Sequence, residues 1–193
     1  MNYLTESAYC DIICYETQLF ALKDNGTVEV WDFDLPTLFP TNIMSFRPVI
    51  IDFDGNEFPR DKFSTQCYLV ESMGDLLLVN RFIGNFVNSE GFAVDESDLG
   101  IEDTQPLVCP YRTKGFHVYK LVSIRNTWEI VESLGNAVIF WVKITLCHCP
   151  LRIFKGVNPI YYTDDNWDQM NEDYLYGGHD CGVFNLTDGS SKT

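Results

Sequence analysis

The feature that most constrains this chain is a series of short apolar segments in its second half, separated by turn residues. Each segment is rich in β-branched and aromatic residues, and the breaks between them contain Gly and Asn. Segments of about 5–7 such residues with these breaks predict consecutive antiparallel strands. The segments are Phe116–Val122, Trp128–Ser133 and Ala137–Val142, and the turns between them are Arg125–Asn126 and Leu134–Asn136.

The sequence also contains two internal echoes. Val70–Gly74 and Val131–Gly135 share a Val-Glu-Ser-x-Gly core, and an apolar segment follows each of them. A weaker echo relates Phe20–Gly26 to Phe184–Gly189, because both read Phe-x-Leu-x-Asp and end at glycine. An internal repeat of a whole hairpin predicts a protein built from several small sheets.

Strand-like segments account for most of the remaining chain, and no segment has the sustained 3.6-residue periodicity of a helix. Leu35–Pro48 contains three prolines and is predicted to be an irregular crossing, and Lys143–Cys149 is predicted to continue the strand before it. The other predicted strands are Tyr9–Tyr15, Gln18–Leu22, Thr27–Phe33, Pro48–Phe53, Gln66–Ser72, Asp75–Phe82, Asn158–Thr163 and Cys181–Leu186.

This pattern leaves two all-β architectures, a β-sandwich and a propeller of small four-stranded sheets. The internal echoes favour the propeller, since a sandwich rarely repeats a hairpin in sequence. We therefore predict a partial, antiparallel β-propeller of roughly three four-stranded blades. Residues 1–193 are expected to form a single domain with two acidic insertions, at about 84–111 and 164–180.

Charge and cysteine usage limit the possible partners and compartments. With 28 acidic against 13 basic side chains, the formal net charge is −15, which argues against general binding to nucleic acids or anionic membranes. A basic or neutral protein is the expected partner. The N-terminal residues do not show the pattern of a basic segment followed by an apolar one, so we expect no secretory signal. The seven cysteines lack framework spacing and are expected to be reduced thiols in the cytoplasm or nucleus.

The second acidic insertion contains the candidate partner-binding residues. Trp167 lies among Asp164, Asp165 and Asp168, and an aromatic ring surrounded by charges on a loop is a typical protein-binding hot spot. The alternative is that Trp167 folds back to cover an apolar sheet face. Both interpretations stay open.

Candidate catalytic and metal sites are weaker. Cys147-His148-Cys149 and His179-Asp180-Cys181 contain enough donors for zinc, but neither has Cys-x2-Cys spacing, so core thiols are favoured. Asp52–Gly55 lacks the further ligands of a calcium loop, and adjacent carboxylates such as Asp164 and Asp165 would point to opposite faces of a strand. We predict no cofactor, metal or catalysis. The alternative function is a carbohydrate-binding or hydrolytic propeller with channel-facing carboxylates.

Several segments of the chain follow one another in the order of a known family. They are DIICYETQLFAL, DNGTVEVWD, YLVESMGDLLLVNRF, FHVYKL, WEIVESLGNAVIFWV, IYYTDD and DCGVFNLTDG. Through these segments, from about Tyr9 to Gly189, the chain resembles the KIB-type β-propeller domain of plant F-box proteins. The resemblance implies a propeller that recruits a target protein, in proteins whose N-terminal F-box binds the Skp1 adaptor of an SCF ubiquitin ligase.

The chain departs from the family pattern at both ends. Nothing near Met1 resembles an F-box and the chain begins at a mid-propeller strand, so we expect an N-terminally truncated propeller that does not bind Skp1. Pro159 and Tyr162 replace the Cys and Phe common in relatives, and the closing strand after Gly189 is not expected. An unclosed ring of blades leaves edge strands exposed, so we expect either a covering partner or a tendency to aggregate.

Overall fold

The computed structural model describes residues 7–33, 39–50, 57–88, 90–95, 112–135, 137–142, 145–150, 158–163 and 180–192, with the backbone alone for 141, 142 and 145–150. The described residues form strands joined by turns, and none of them is helical. Accordingly, this part of the chain has no helix long and apolar enough to cross a membrane. The strands are β1 (Tyr9–Tyr15), β2 (Gln18–Lys23), β3 (Val28–Asp32), β4 (Thr41–Phe46), β5 (Val49–Ile50), β6 (Phe63–Ser72), β7 (Asp75–Gly84), β8 (Phe86–Val87), β9 (Ala93–Val94), β10 (Arg112–Val122), β11 (Thr127–Ile130), β12 (Ala137–Val142), β13 (Thr145–Pro150), β14 (Pro159–Tyr162), β15 (Gly182–Asn185) and β16 (Ser191–Lys192).

These strands form three larger sheets and one small ladder. The strand order is β1-β2-β3-β4 in the first sheet, β5-β11-β10-β7-β6 in the second and β13-β12-β14-β15-β16 in the third, and β8 pairs with β9. The prediction of an all-β fold of small, mainly antiparallel sheets is confirmed. The second and third sheets have five strands instead of four, because parallel pairs join β5 to β11 and β14 to β12.

The weaker sequence echo marks two similar hairpins. The turn after β2 leads into β3, and the turn after β15 leads into β16. In each hairpin a backbone amide at the end of the first strand donates to a carbonyl oxygen across the turn, Lys23 to Thr27 and Asn185 to Ser190, both at 2.8 Å. The turn glycine has a φ of 79° in the first hairpin and 68° in the second, a conformation that glycine adopts at little cost.

The stronger echo does not mark similar hairpins, so that prediction is wrong. The first copy, Val70–Gly74, ends in a two-residue turn, Met73 and Gly74, between β6 and β7, which are neighbours in the second sheet. Val131–Gly135 instead leads from β11 in the second sheet to β12 in the third. The second copy is held by side chains, since the Ser133 hydroxyl accepts the Gly135 amide at 3.1 Å. One motif therefore serves once within a sheet and once between sheets.

Several strand predictions are corrected by the observed pairing. β4 lies inside Leu35–Pro48, because Pro40 and Pro48 flank that strand instead of interrupting it. β13 pairs antiparallel with β12, so Lys143–Cys149 does not continue the preceding strand. β16 follows Gly189 and adds a short last strand to the third sheet. Of the acidic insertion 84–111, the described residues contain the β8–β9 ladder.

The chain divides into two compact units, each with its own core. The prediction of a single domain over residues 1–193 stays a prediction. The first unit draws on Met1–Phe53, Cys67–Val79 and Val118–Val131, and the second on Asp54–Gln66, Asn80–His117 and Glu132–Thr193. The first core comprises Phe20, Leu22, Val28, Val30, Leu69, Leu76, Leu78, Tyr119 and Trp128. Buried residues of the second include Phe82, Ile83, Phe116, Ile139, Ile160, Tyr162 and Phe184.

Within the first unit, Asp11 of β1 protects the edge of the second sheet. Its carboxylate accepts the backbone amide of Leu69 in the edge strand β6 at 2.8 Å. Burial raises the pKa of Asp11 above its ordinary value, although hydrogen bonds from the Leu69 and Ile12 amides act in the opposite direction. The ionised carboxylate is therefore disfavoured in the folded chain relative to the unfolded chain.

We expect Asp11→Asn to increase stability at neutral pH, because the amide oxygen still accepts the Leu69 N–H without burying a charge. The Ile12 N–H loses the second carboxylate oxygen, but this hydrogen bond is exposed, so water can replace it. Since the folded pKa is raised, the wild-type chain loses stability relative to this variant as pH rises from about 3.9, the ordinary aspartate value, through the folded value. Urea unfolding across that range measures the difference. Asp11→Ala, which leaves the Leu69 amide unpaired, is expected to lose about 1–3 kcal/mol. A gain independent of pH would contradict the assignment.

Candidate functional site

The sequence-predicted partner-binding residues Asp164, Asp165, Trp167 and Asp168 lie outside the described residues, but the strands on either side are described. β14 ends at Tyr162 and β15 begins at Gly182, and these two residues are register partners in adjacent antiparallel strands. Residues 163–181 therefore connect two neighbouring strands of the third sheet. We call this segment the β14–β15 connection.

A buried polar network holds the C-terminal end of this connection. Arg81 of β7 is fully buried, and Asp180, which precedes β15, is only 3% exposed. Arg81 Nη2 donates to Asp180 Oδ2 at 2.9 Å, and Arg81 Nε donates to the Thr113 hydroxyl at 2.7 Å. Thr113 of β10 in turn donates to the same carboxylate from its hydroxyl at 2.7 Å and from its amide at 3.0 Å. One carboxylate thus joins β7 and β10 to the start of β15.

The network's geometry offsets the cost of burying two charges. An unpaired buried carboxylate or guanidinium is strongly unfavourable, whereas short charge-assisted hydrogen bonds from several donors recover much of the lost hydration. Because each partner depends on the other, the network tolerates few alternative arrangements. It therefore fixes where the β14–β15 connection ends.

The N-terminal end of the connection is equally constrained. The Tyr162 ring lies 5.5 Å from the Arg81 guanidinium carbon, and its hydroxyl is 3.0 Å from Ser191 Oγ. Burial raises the pKa of Tyr162, so the hydroxyl stays neutral. A Cβ at Gly182 would lie 2.5 Å from the Lys192 carbonyl oxygen and 2.7 Å from the Tyr162 hydroxyl, so only glycine fits there. Both ends of the connection are therefore rigid.

Asn158, just before β14, is a positioning residue that the sequence reading missed. Its side-chain oxygen accepts the Leu134 amide at 2.9 Å and the Ser133 hydroxyl at 3.2 Å, and its Nδ2 donates to Thr187 Oγ1 at 2.7 Å. The residue is 5% exposed. An Asn-Pro pair before a strand is the sequence signal that could have indicated it. Through these bonds to Ser133 and Leu134, the second Val-Glu-Ser-x-Gly copy is attached to the start of β14.

Three described non-glycine residues with positive φ lie in turns of the first unit. They are Glu16 (54°), Met73 (55°) and Asn126 (53°), in the turns after β1, β6 and β10. The Tyr15 hydroxyl donates to the Gly74 carbonyl at 2.7 Å, which links the first two turns. Met73 is 76% exposed, so a substitution there can serve as a control for substitutions at other exposed positions of this unit.

The candidate zinc donors are only partly described. The side chains of Cys147, His148 and Cys149 and all of His179 fall outside the described part, while Cys181 is an exposed free thiol and Asp180 is bound by Arg81. Within the described residues, no group of three or more His, Cys, Asp or Glu side chains is placed to hold a metal ion. The calcium-like segment 52–55 also lies outside the described residues. The prediction of no metal stays a prediction.

We expect Asp180→Asn to destabilise the chain by about 3–5 kcal/mol, because it removes the carboxylate charge that pairs with the buried Arg81 guanidinium. Asp75→Asn is the matched control. It removes a 2.7 Å ion pair with Lys120 in which both side chains are more than 40% exposed, and should cost less than about 1 kcal/mol. Urea unfolding of both variants provides the comparison. Equal small losses would show that the Arg81–Asp180 pair does not hold the fold as described.

Comparison with known proteins places the fold in context. The chain is 26% identical to an F-box protein of Arabidopsis thaliana over 160 residues, which cover 81% of this chain and 40% of that protein. It thus spans less than half the length of that relative, and no solved structure matches it significantly. A sequence model of the KIB1-4 beta-propeller family matches residues 2–185, which confirms the resemblance and the propeller fold class. The propeller match and the F-box relative together indicate a role in protein interaction. This chain belongs to the KIB1-4 beta-propeller family.

Proposed function

We propose that this chain is a protein-interaction module that binds a basic partner protein through the β14–β15 connection and has no catalytic activity of its own. It would act like the target-recruiting propeller of plant F-box proteins. Skp1 binding is not part of the proposal.

The observation that carries the proposal is the set of buried contacts at the two ends of the connection, which we call the clamp. Arg81, Thr113 and Asp180 fix one end, and the packing of Tyr162 against Gly182 fixes the other. Binding residues are disproportionately found on loops that a rigid scaffold positions, because fixed ends reduce the entropy lost when a partner binds. A buried ion pair at the C-terminal end of the connection, where desolvation of both charges is costly, supports that role.

The composition of the connection supports a basic partner. Residues 164–179 contain five carboxylates and no Lys or Arg, together with Trp167, Tyr174 and Tyr176. Aromatic side chains supply most hot-spot energy, and surrounding charges steer a partner of opposite sign. The net charge of −15 on the whole chain adds a long-range attraction for a positively charged partner.

The alternative, a carbohydrate-binding or hydrolytic propeller, has less support. A catalytic carboxylate must be able to reach substrate or water. Asp180, the buried carboxylate described next to the connection, is instead occupied by the Arg81 guanidinium and the Thr113 hydroxyl and amide. Its role is to position the chain.

A cytoplasmic or nuclear location is part of the same proposal. Cys10, Cys14, Cys67 and Cys181 are free thiols, and Cys10, Cys14 and Cys181 are exposed. Exposed thiols persist in reducing compartments. This supports an encounter with partners there.

We expect Trp167→Ala to weaken binding of the partner by more than about 1 kcal/mol, as a hot-spot residue would. The partner is first identified by mass spectrometry of proteins that co-purify with the chain, and its affinity for purified variants is then measured by calorimetry. Neutralising Asp164, Asp165 and Asp168 to Asn should weaken binding further at low salt.

The matched control neutralises three exposed acids elsewhere, Glu16, Glu71 and Glu90, to Gln, and changes the net charge equally. It is expected to have a smaller effect than the Asn variant. If Trp167→Ala leaves the affinity within about 0.5 kcal/mol, the hot-spot role of this residue is excluded. If the Asn variant and the Gln control weaken partner affinity equally, the carboxylates of the connection act only through the net charge, which would contradict a specific binding role for them.

A further inference from the structure

Edge strands of a sheet present backbone amide and carbonyl groups that can pair with another chain, and natural proteins protect them. Most described edges here carry such protection. In the second sheet, the Leu69 amide of β6 is covered by Asp11, and the other edge strand, β5, has only two residues. In the third sheet, β16 also has two residues, one of which is Lys192. β1 is interrupted by a register shift between Tyr9 and Asp11.

β4 is less protected than these edges, because it has six residues, carries no charged side chain and stays regular over residues 44–46 despite a register shift of its own. β13 is a further edge strand, of which the backbone alone is described. β4 forms the edge of the first sheet, and among the described strands it pairs with β3 alone. Its six residues include no charged side chain, and residues 41–45 are all exposed. Ile43 and Met44 are 45% and 54% exposed, which is unusual for two large apolar side chains in succession on a strand.

The pairing of β4 with β3 shows which part of the edge is regular. Ser45 and Met44 are register partners of Glu29 and Val30, and a register shift follows at Trp31. Residues 44–46 therefore keep regular strand geometry, and Ile43 lies at the bulge. No other described strand pairs with the outer side of this segment, so the described part of the chain is compatible with an added strand there.

Charge selects the occupant of this edge. A second copy of the chain would bring another net charge of −15, so pairing of two β4 strands is opposed by long-range repulsion. An extended segment rich in Lys and Arg is attracted by the same field. β4 itself is uncharged, and the nearby carboxylate of Glu29 is already bound by Lys23 and Tyr9. The edge therefore offers main-chain pairing and apolar contact, while the net charge of the whole chain attracts the basic segment. The one basic residue next to β4 is Arg47.

We propose that β4 binds an extended segment of a basic partner protein as an added strand of the first sheet. Main-chain hydrogen bonds provide the affinity, and Ile43 and Met44 contact alternate apolar side chains of the segment. This surface is separate from the β14–β15 connection and goes beyond the function proposed for it. Neither proposal depends on the other, because their tests differ. Binding through the connection is tested with Trp167→Ala and a native partner, and binding through β4 is tested with β4 variants and a synthetic peptide.

The test uses a fluorescent peptide of alternating lysine and valine, about seven residues long, which can form a cationic strand with one apolar face. Binding to the full chain is measured by anisotropy at low salt. We expect the outward-facing amides among Met44, Ser45 and Phe46 to gain protection from hydrogen exchange when the peptide is added, because amides alternate between the two edges of a strand and the others already face β3. The same peptide methylated on successive backbone nitrogens keeps its charge but cannot donate from either edge, and should bind at least about 5-fold more weakly.

The chain offers a matched pair of protein variants. Met44→Lys places a charge on the proposed edge, and Met73→Lys makes the same change at an exposed turn of the same unit. We expect peptide affinity to fall at least about 5-fold in Met44→Lys and less than about 2-fold in Met73→Lys. Ser45→Lys, at another exposed position of β4, repeats the test if Met44→Lys does not keep the wild-type circular dichroism spectrum.

Three outcomes would overturn the proposal. Equal losses in the Met44 and Met73 variants, or equal binding of the methylated peptide, would reduce the interaction to net charge. A concentration-dependent dimer that Met44→Lys abolishes would assign the edge to a second copy of the chain.

Discussion

The buried ion pair between Arg81 and Asp180 is the interaction on which the candidate site depends. It joins residues 99 positions apart in sequence, and together with Thr113 it fastens the start of β15 to β7 and β10. A hydrophobic contact at the same place would tolerate sliding, whereas a guanidinium and a carboxylate with matched donors accept one arrangement. The strands that flank the β14–β15 connection are thereby positioned before any partner arrives.

The sheets and the acidic composition make different contributions to the proposed recognition. The sheets supply fixed positions, through Asp180 and Asn158 at the third sheet and through Asp11 at the edge of the second. The acidic composition attracts positively charged groups at long range, and this attraction does not depend on any single contact. Such a combination suits recognition of a basic protein surface, because orientation comes from the fixed elements and the encounter rate from the field.

Much of the fold follows from local sequence, and most of the site does not. Alternating and β-branched segments predict the strands because side-chain periodicity is a local property, and the hairpin after β2 is specified by its own turn residues. β4 was missed because prolines that flank a strand look the same in sequence as prolines that interrupt an irregular segment. The Val-Glu-Ser-x-Gly echo misled for a related reason: the reversal is local, but whether the next strand joins the same sheet is decided by distant partners such as Asn158. Nothing near Arg81 in the sequence indicates Asp180, since an Arg within an apolar strand has no local signature of its partner.

The most direct test of the clamp is the hydrogen-exchange rate of the Thr113 amide in the intact chain, measured by NMR. This amide donates to the Asp180 carboxylate at 3.0 Å near the start of β10, where a strand end would ordinarily fray. If the buried network holds the base of the β14–β15 connection, this amide exchanges as slowly as amides in the middle of β10, such as that of Val118. Exchange as fast as at the exposed turn residue Ile124 would contradict the account.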